Sequence, residues 1–132
     1  MPPNELGVVE FESLLGETLV SLGNTGDKIG FTTDDGKRFV MSHGVQECCE
    51  GVELVDVVGD EGDLLGLPLT MAEVVTYDDE DPPDAPETEV GRDCTWKWTF
   101  YKMGTAKGYV TYRWYGTSNG CYSVEVDIRR EA

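Results

Sequence analysis

The residue types best suited to chemistry fall in two places along this chain. The first is the run His43-Gly44-Val45-Gln46-Glu47-Cys48-Cys49-Glu50, which gathers the chain's one histidine with two thiols and two carboxylates. An imidazole beside carboxylates suits general acid–base work, and thiolates suit nucleophilic attack or soft-metal ligation. Neither is set up by the spacing. Cys48 and Cys49 are neighbours, so in a strand they point to opposite faces. Zinc ligation asks for close Cys or His pairs at short spacings, and Cys94 and Cys121 stand alone. His43, Cys48, Cys49 and Glu50 are therefore a secondary binding candidate, read without a metal and without a cofactor. Ser118 and Ser123 sit in no activating motif, and neither Gly-x-Ser-x-Gly nor a phosphate loop occurs. Asp60, Glu61 and Asp63 lack the spacing and closing glutamate of an EF-hand calcium loop. The chain is read as a non-enzyme.

The second place is the last third, where three apolar runs are set off by turn residues. They are Cys94 to Tyr101, Tyr109 to Tyr115 and Tyr122 to Ile128, with Gly104 and Gly108 at the first connection and Asn119-Gly120 at the second. This predicts an antiparallel three-strand meander. Alternation puts Trp96, Trp98, Phe100, Val110, Tyr112, Trp114, Val124, Val126 and Ile128 on one face, the expected core. The other face then carries Lys97, Thr99, Tyr101, Tyr109, Thr111, Arg113 and Tyr115. Tyr and Arg offer stiff contact area with polar tips, so Arg113, Tyr115, Lys97, Tyr101 and Asn119 form the candidate site for a small anionic ligand.

The elements that must position these residues are mostly short strands. Phe11 to Gly16 reads as a helical turn stopped by its glycine. Leu19 to Leu22 reads as a strand. Ile29 to Thr33 and Lys37 to Ser42 flank Asp34-Asp35-Gly36, a tight-turn signal that predicts a hairpin. Val52 to Val58 reads as a strand, Leu69 to Tyr77 reads as a strand with a helical turn over Thr70 to Glu73 as the alternative, and Asp63 is the expected cap of a short turn before Gly66. The fold class is mainly β, an antiparallel sheet with short helical turns, with α+β as the alternative. At 132 residues the chain is of single-domain size. Residues 78–90 hold a proline-rich acidic block, Asp78 to Glu89, read as an exposed flexible loop.

Several motifs resemble one family. Trp98-Thr99-Phe100-Tyr101-Lys102-Met103-Gly104 and Arg113-Trp114-Tyr115-Gly116-Thr117-Ser118-Asn119-Gly120 carry most of the likeness, with His43, Cys48-Cys49-Glu50, Asp63-Leu64-Leu65-Gly66 and Ala72-Glu73. Together they resemble a small domain-of-unknown-function family found in bacteriophage and bacterial genomes, from about Leu14 onward. Gly44 and Cys121 depart from its pattern. The resemblance brings no activity with it; it implies a phage origin and a host-cytoplasmic setting.

Charge narrows the partners. The formal net charge is −16. Residues 1–90 hold 22 acids and 3 bases, whereas residues 91–132 hold 4 acids and 7 bases. Phosphate backbones and anionic membranes repel such a chain, so direct nucleic-acid and membrane binding are not expected. No stretch has the length of a membrane helix, and no apolar segment follows a basic start, which predicts a cytoplasmic chain. The function expected is binding to a host protein, as an inhibitor or nucleic-acid mimic. The alternative is capture of a small nucleotide-like ligand on the Tyr/Lys/Arg face. Neither oligomeric state nor partner identity follows from the sequence.

Overall fold

Alternating apolar residues, broken by glycine and aspartate turns, build a chain of strands. A computed structural model describes residues 7–43, 50–78, 95–118 and 126–131. Its strands are β1 (Gly7–Val9), β2 (Leu19–Asn24), β3 (Lys28–Thr33), β4 (Arg38–Ser42), β5 (Glu50–Val58), β6 (Met71–Asp78), β7 (Thr95–Thr105), β8 (Gly108–Ser118) and β9 (Asp127–Glu131). Two 3₁₀ turns, Phe11–Leu14 and Glu61–Leu64, are the helical elements among the described residues. The strands form two antiparallel sheets, ordered β1-β9-β4-β3-β2 and β5-β8-β7-β6. The mainly β reading stands, short helical turns included.

One core lies between the sheets. Ile29, Phe31, Phe39, Met41 and Ile128 of the five-stranded sheet pack with Val52, Ala72, Tyr101, Met103, Val110, Tyr112 and Trp114 of the four-stranded one. Specific contacts tie the layers together. The Phe31 and Tyr112 rings meet edge-on with centroids 6.2 Å apart, and the Trp114 indole donates to the Met41 sulfur at 3.2 Å. The Tyr101 hydroxyl donates to the Val126 carbonyl.

The Asp34-Asp35-Gly36 hairpin forms as expected. Thr33 and Lys37 close it, and Gly36 takes a φ of 87°, open to glycine at little cost. The helical turn after Phe11 and the strand after Leu69 also form. The cap of the second turn is Asp60, not Asp63: its side chain accepts from the Gly62 amide at 2.9 Å. The larger difference concerns the C-terminal strand. β9 does not complete a meander with β7 and β8 but crosses to the other sheet, between β1 and β4. In the β7–β8 sheet the consecutive strands that do lie side by side are β6, β7 and β8, as β2, β3 and β4 do in the other. Val126, just before β9, and Ile128 within it are buried, as alternation requires, yet alternation names a face and not a neighbour. The acidic block after Asp78, like Cys94 and Asn119-Gly120, lies outside the described residues.

Candidate functional site

The β7–β8 hairpin decides what the predicted site can be. Its register runs from Thr95↔Ser118 to Thr105↔Gly108, so Ala106 and Lys107 are the whole loop. Directly opposed residues share a face. A two-residue loop pairs even-numbered positions with odd-numbered ones, as in Trp98↔Tyr115 and Phe100↔Arg113. The face carrying Trp96, Trp98 and Phe100 is thus the face carrying Arg113 and Tyr115. The face carrying Tyr101 and Met103 carries Tyr112 and Trp114. The expectation that all three tryptophans share one face is overturned: Trp114 lies in the inter-sheet core, whereas Trp98 belongs to a second cluster with Phe100 and Tyr115 on the outer face.

The predicted ligand residues are divided accordingly. Arg113 and Tyr115 lie together on the outer face. Tyr101 points inward with its hydroxyl committed to Val126, and Lys97 alternates with it to the inner side, opposite Asp78. Asn119 falls outside the described residues. Of the secondary group, His43 is half-buried at the end of β4, and Glu50 begins β5 in the other sheet. Cys48 and Cys49 fall outside the described residues. Among the described residues, no three His, Cys, Asp or Glu side chains are gathered as metal ligands.

On the outer face, Arg113 is held by a carboxylate of the same sheet. Its Nε and Nη2 donate to the two Asp56 oxygens at 2.6 and 2.5 Å, a bidentate, charge-assisted pair. Its guanidinium carbon also lies 5.8 Å from the Phe100 ring centroid, within cation–π reach. Beside it a groove of about 230 Å³ runs between Val58, Tyr77, Phe100, Lys102, Thr111 and Arg113. Asp56, Lys102 and Tyr77 were not among the predicted residues. For Asp56 and Lys102 the signal was charge: β5 and β6 carry only acids, β7 and β8 only bases. Assembly places Asp56 opposite Arg113, Glu73 opposite Lys102 and Asp78 opposite Lys97. Of these opposed charges, Asp56 and Arg113 close into an ion pair.

Two polar devices frame the rest of the molecule. The Tyr112 hydroxyl donates to Glu61 at 2.9 Å; burial first, and the Glu61 carboxylate second, hold its phenol above the usual tyrosine range. At the β3–β4 turn, Glu17 takes Lys37 at 2.6 Å, which with Asp35 raises the lysine's pKa. The Thr33 hydroxyl bond to Asp35 lowers that carboxyl.

A family model for a domain of unknown function, DUF7448, matches residues 12–128. The chain belongs to that family. The DUF7448 span begins inside the first 3₁₀ turn and ends within β9, so β1 and Glu10 lie outside it. No curated protein and no solved structure matches the chain. Among the described residues, no helix is long and apolar enough to cross a membrane.

Proposed function

We propose that this DUF7448 protein acts by binding a basic partner protein, with no chemistry of its own, and that it is a phage-derived chain working in the host cytoplasm. One observation ranks this reading above its alternative. Arg113, the strongest anion-binding group of the predicted site, already holds the Asp56 carboxylate in a bidentate pair. An incoming anion would have to displace that carboxylate. Arg113 is thus committed to the protein's own acidic strand β5, while the net charge of −16 favours and steers positively charged partners. An inhibitor that occupies a basic surface, or a mimic of a nucleic-acid backbone, both fit that electrostatic character.

The test is a salt series. Proteins retained by the tagged chain from a bacterial extract are purified and titrated against it from low to high salt. Affinity should fall steeply as salt rises, because screening weakens contacts between exposed charges. An affinity unchanged across the series sinks the reading. The alternative, an anionic small molecule held by Lys102, Thr111 and the Tyr77 and Phe100 rings, is supported by the outer groove. Native mass spectrometry of gently purified protein checks it: a bound mass of a few hundred daltons that disappears in Lys102→Ala would favour that alternative.

A further inference from the structure

We propose that a cleft between β1 and β6 receives a lysine or arginine side chain of the partner. This rests on the binding reading above and names where a basic partner engages. The cleft measures about 380 Å³ and opens where the edge strands of the two sheets come near each other. Val8, Val9, Phe11, Val74 and Ile128 give it an apolar lining. Glu10, Glu12 and Asp127 line it as well, and no lysine, arginine or histidine does. None of the three carboxylates forms an ion pair with a described residue. Lys37 and Arg130 line a neighbouring recess that shares Val8, Val9 and Glu10, and Lys37 is held there by Glu17.

A second observation is independent of charge. Thr99 is 3% exposed, lies directly opposite Thr76, and lines the cleft with it. No described residue hydrogen-bonds the Thr99 hydroxyl. The residue is buried, yet its hydroxyl oxygen borders the open space of the cleft. Of the other hydroxyls at the cleft, that of Tyr101 is already given to Val126.

These features select a side chain with an apolar stem and a head that only donates. Lysine and arginine lay methylenes on apolar surface while the charged end reaches polar groups. Here the stem meets the valines and Phe11, and the head meets the carboxylates and Thr99. An anion would face three carboxylates. A purely apolar group would leave Thr99 unmatched. The carboxylates are not gathered as metal ligands. A second copy of this chain would bring a charge of −16 against −16. Of the cleft lining, Val8 to Phe11 lie before the DUF7448 match and the remaining residues lie within it.

The test is a titration of the isotope-labelled full chain, followed by amide NMR. The probes are acetyl-Gly-Arg-Gly-Arg-Gly amide and the same peptide with citrulline, the neutral isostere of arginine. Shifts should appear with the arginine peptide at residues 8–12, 74–76, 99–101 and 126–128, and be absent with citrulline. The triple change Glu10→Gln, Glu12→Gln and Asp127→Asn should weaken binding about tenfold or more, as loss of close charge pairs does. Removing the same charge elsewhere, by Asp27→Asn, Asp34→Asn and Asp60→Asn, should change it only through weaker long-range attraction, about threefold or less. Thr99→Val should weaken binding while leaving thermal stability unchanged or higher, a result that poor folding would not give. Shifts scattered over the acidic surface, equal loss in both triple variants, or no response to the arginine peptide would each overturn the cleft. The binding reading falls only if no partner with salt-sensitive affinity is found as well.

Discussion

On its inner face the four-stranded sheet sets Tyr101, Tyr112 and Trp114 into the core, and each polar tip has a partner: the Val126 carbonyl, Glu61 and the Met41 sulfur. On its outer face Trp98, Phe100 and Tyr115 pack with Val55, Val75, Tyr77 and Trp96, beside an ion pair and an open groove. Trp98 and Tyr115 are 1% and 2% exposed, as buried as the inner rings. The difference lies in what accompanies the rings. Inside, the polar tips of Tyr101 and Trp114 tie one sheet to the other. Outside, Asp56 and Arg113 join neighbouring strands of one sheet and leave surface beside them. A sheet that buries aromatic rings on both faces loses the clean polar–apolar alternation of a half-solvated one.

Truncating a ring on each face breaks the comparison most directly. Trp114→Ala should destabilise the protein by about 3–5 kcal/mol, the range for large aromatic truncation in a core, read by urea denaturation. Trp98→Ala should fall in the same range; a loss below about 1 kcal/mol would mean that the outer cluster behaves as surface. Gly59→Ala comes next, at about 1–3 kcal/mol. Gly59 has a φ of 108°, and a Cβ there would lie 2.3 Å from the Tyr109 carbonyl oxygen, so β5 could not turn away from β8 unchanged.

The Asp56–Arg113 pair is only partly buried, with side chains 35% and 14% exposed. Asp56→Ala should therefore cost about 1–2 kcal/mol, between the values of exposed and buried pairs. A double-mutant cycle with Arg113→Ala isolates the coupling. A coupling near zero would remove the pair as the outer face's organising contact. The smallest effect is an alkaline limb from the inner face. Tyr112 holds its proton more tightly when folded than its ordinary value of 10.0. The unfolded chain therefore releases that proton first. Its contribution is whole below about pH 10 and is lost as pH rises above it. Melting temperature measured from pH 9 to pH 11 should drop, and drop less in Tyr112→Phe.

Local signals were enough wherever the structure is local. Asp34-Asp35-Gly36 announced the β3–β4 turn because the glycine φ it needs is a property of that residue. Val52 to Val58 and Tyr109 to Tyr115 were visible as strands because β-branched and aromatic residues alternate within each. Arg113 and Tyr115 were correctly grouped, since positions two apart in one strand always share a face. Lys97 and Tyr101 were wrongly joined to them across the hairpin, because that grouping depended on loop length. Placing the turn at Gly104 to Gly108 left the parity open. The true loop, Ala106-Lys107, leaves Gly104 in the strand, where the Tyr109 ring occupies the space a Cβ would need.

By itself, then, the sequence determined a mainly β chain, the faces within each strand, and its acidic character. Each follows from single residues or from neighbours along one strand. Tertiary structure alone decided that β9 joins the other sheet, that Asp56 meets Arg113, and that residues near the beginning and end of the described chain share a cleft with β6 and β7. Those outcomes depend on which strands pair and in what register, and pairing is settled by contacts between residues far apart in sequence.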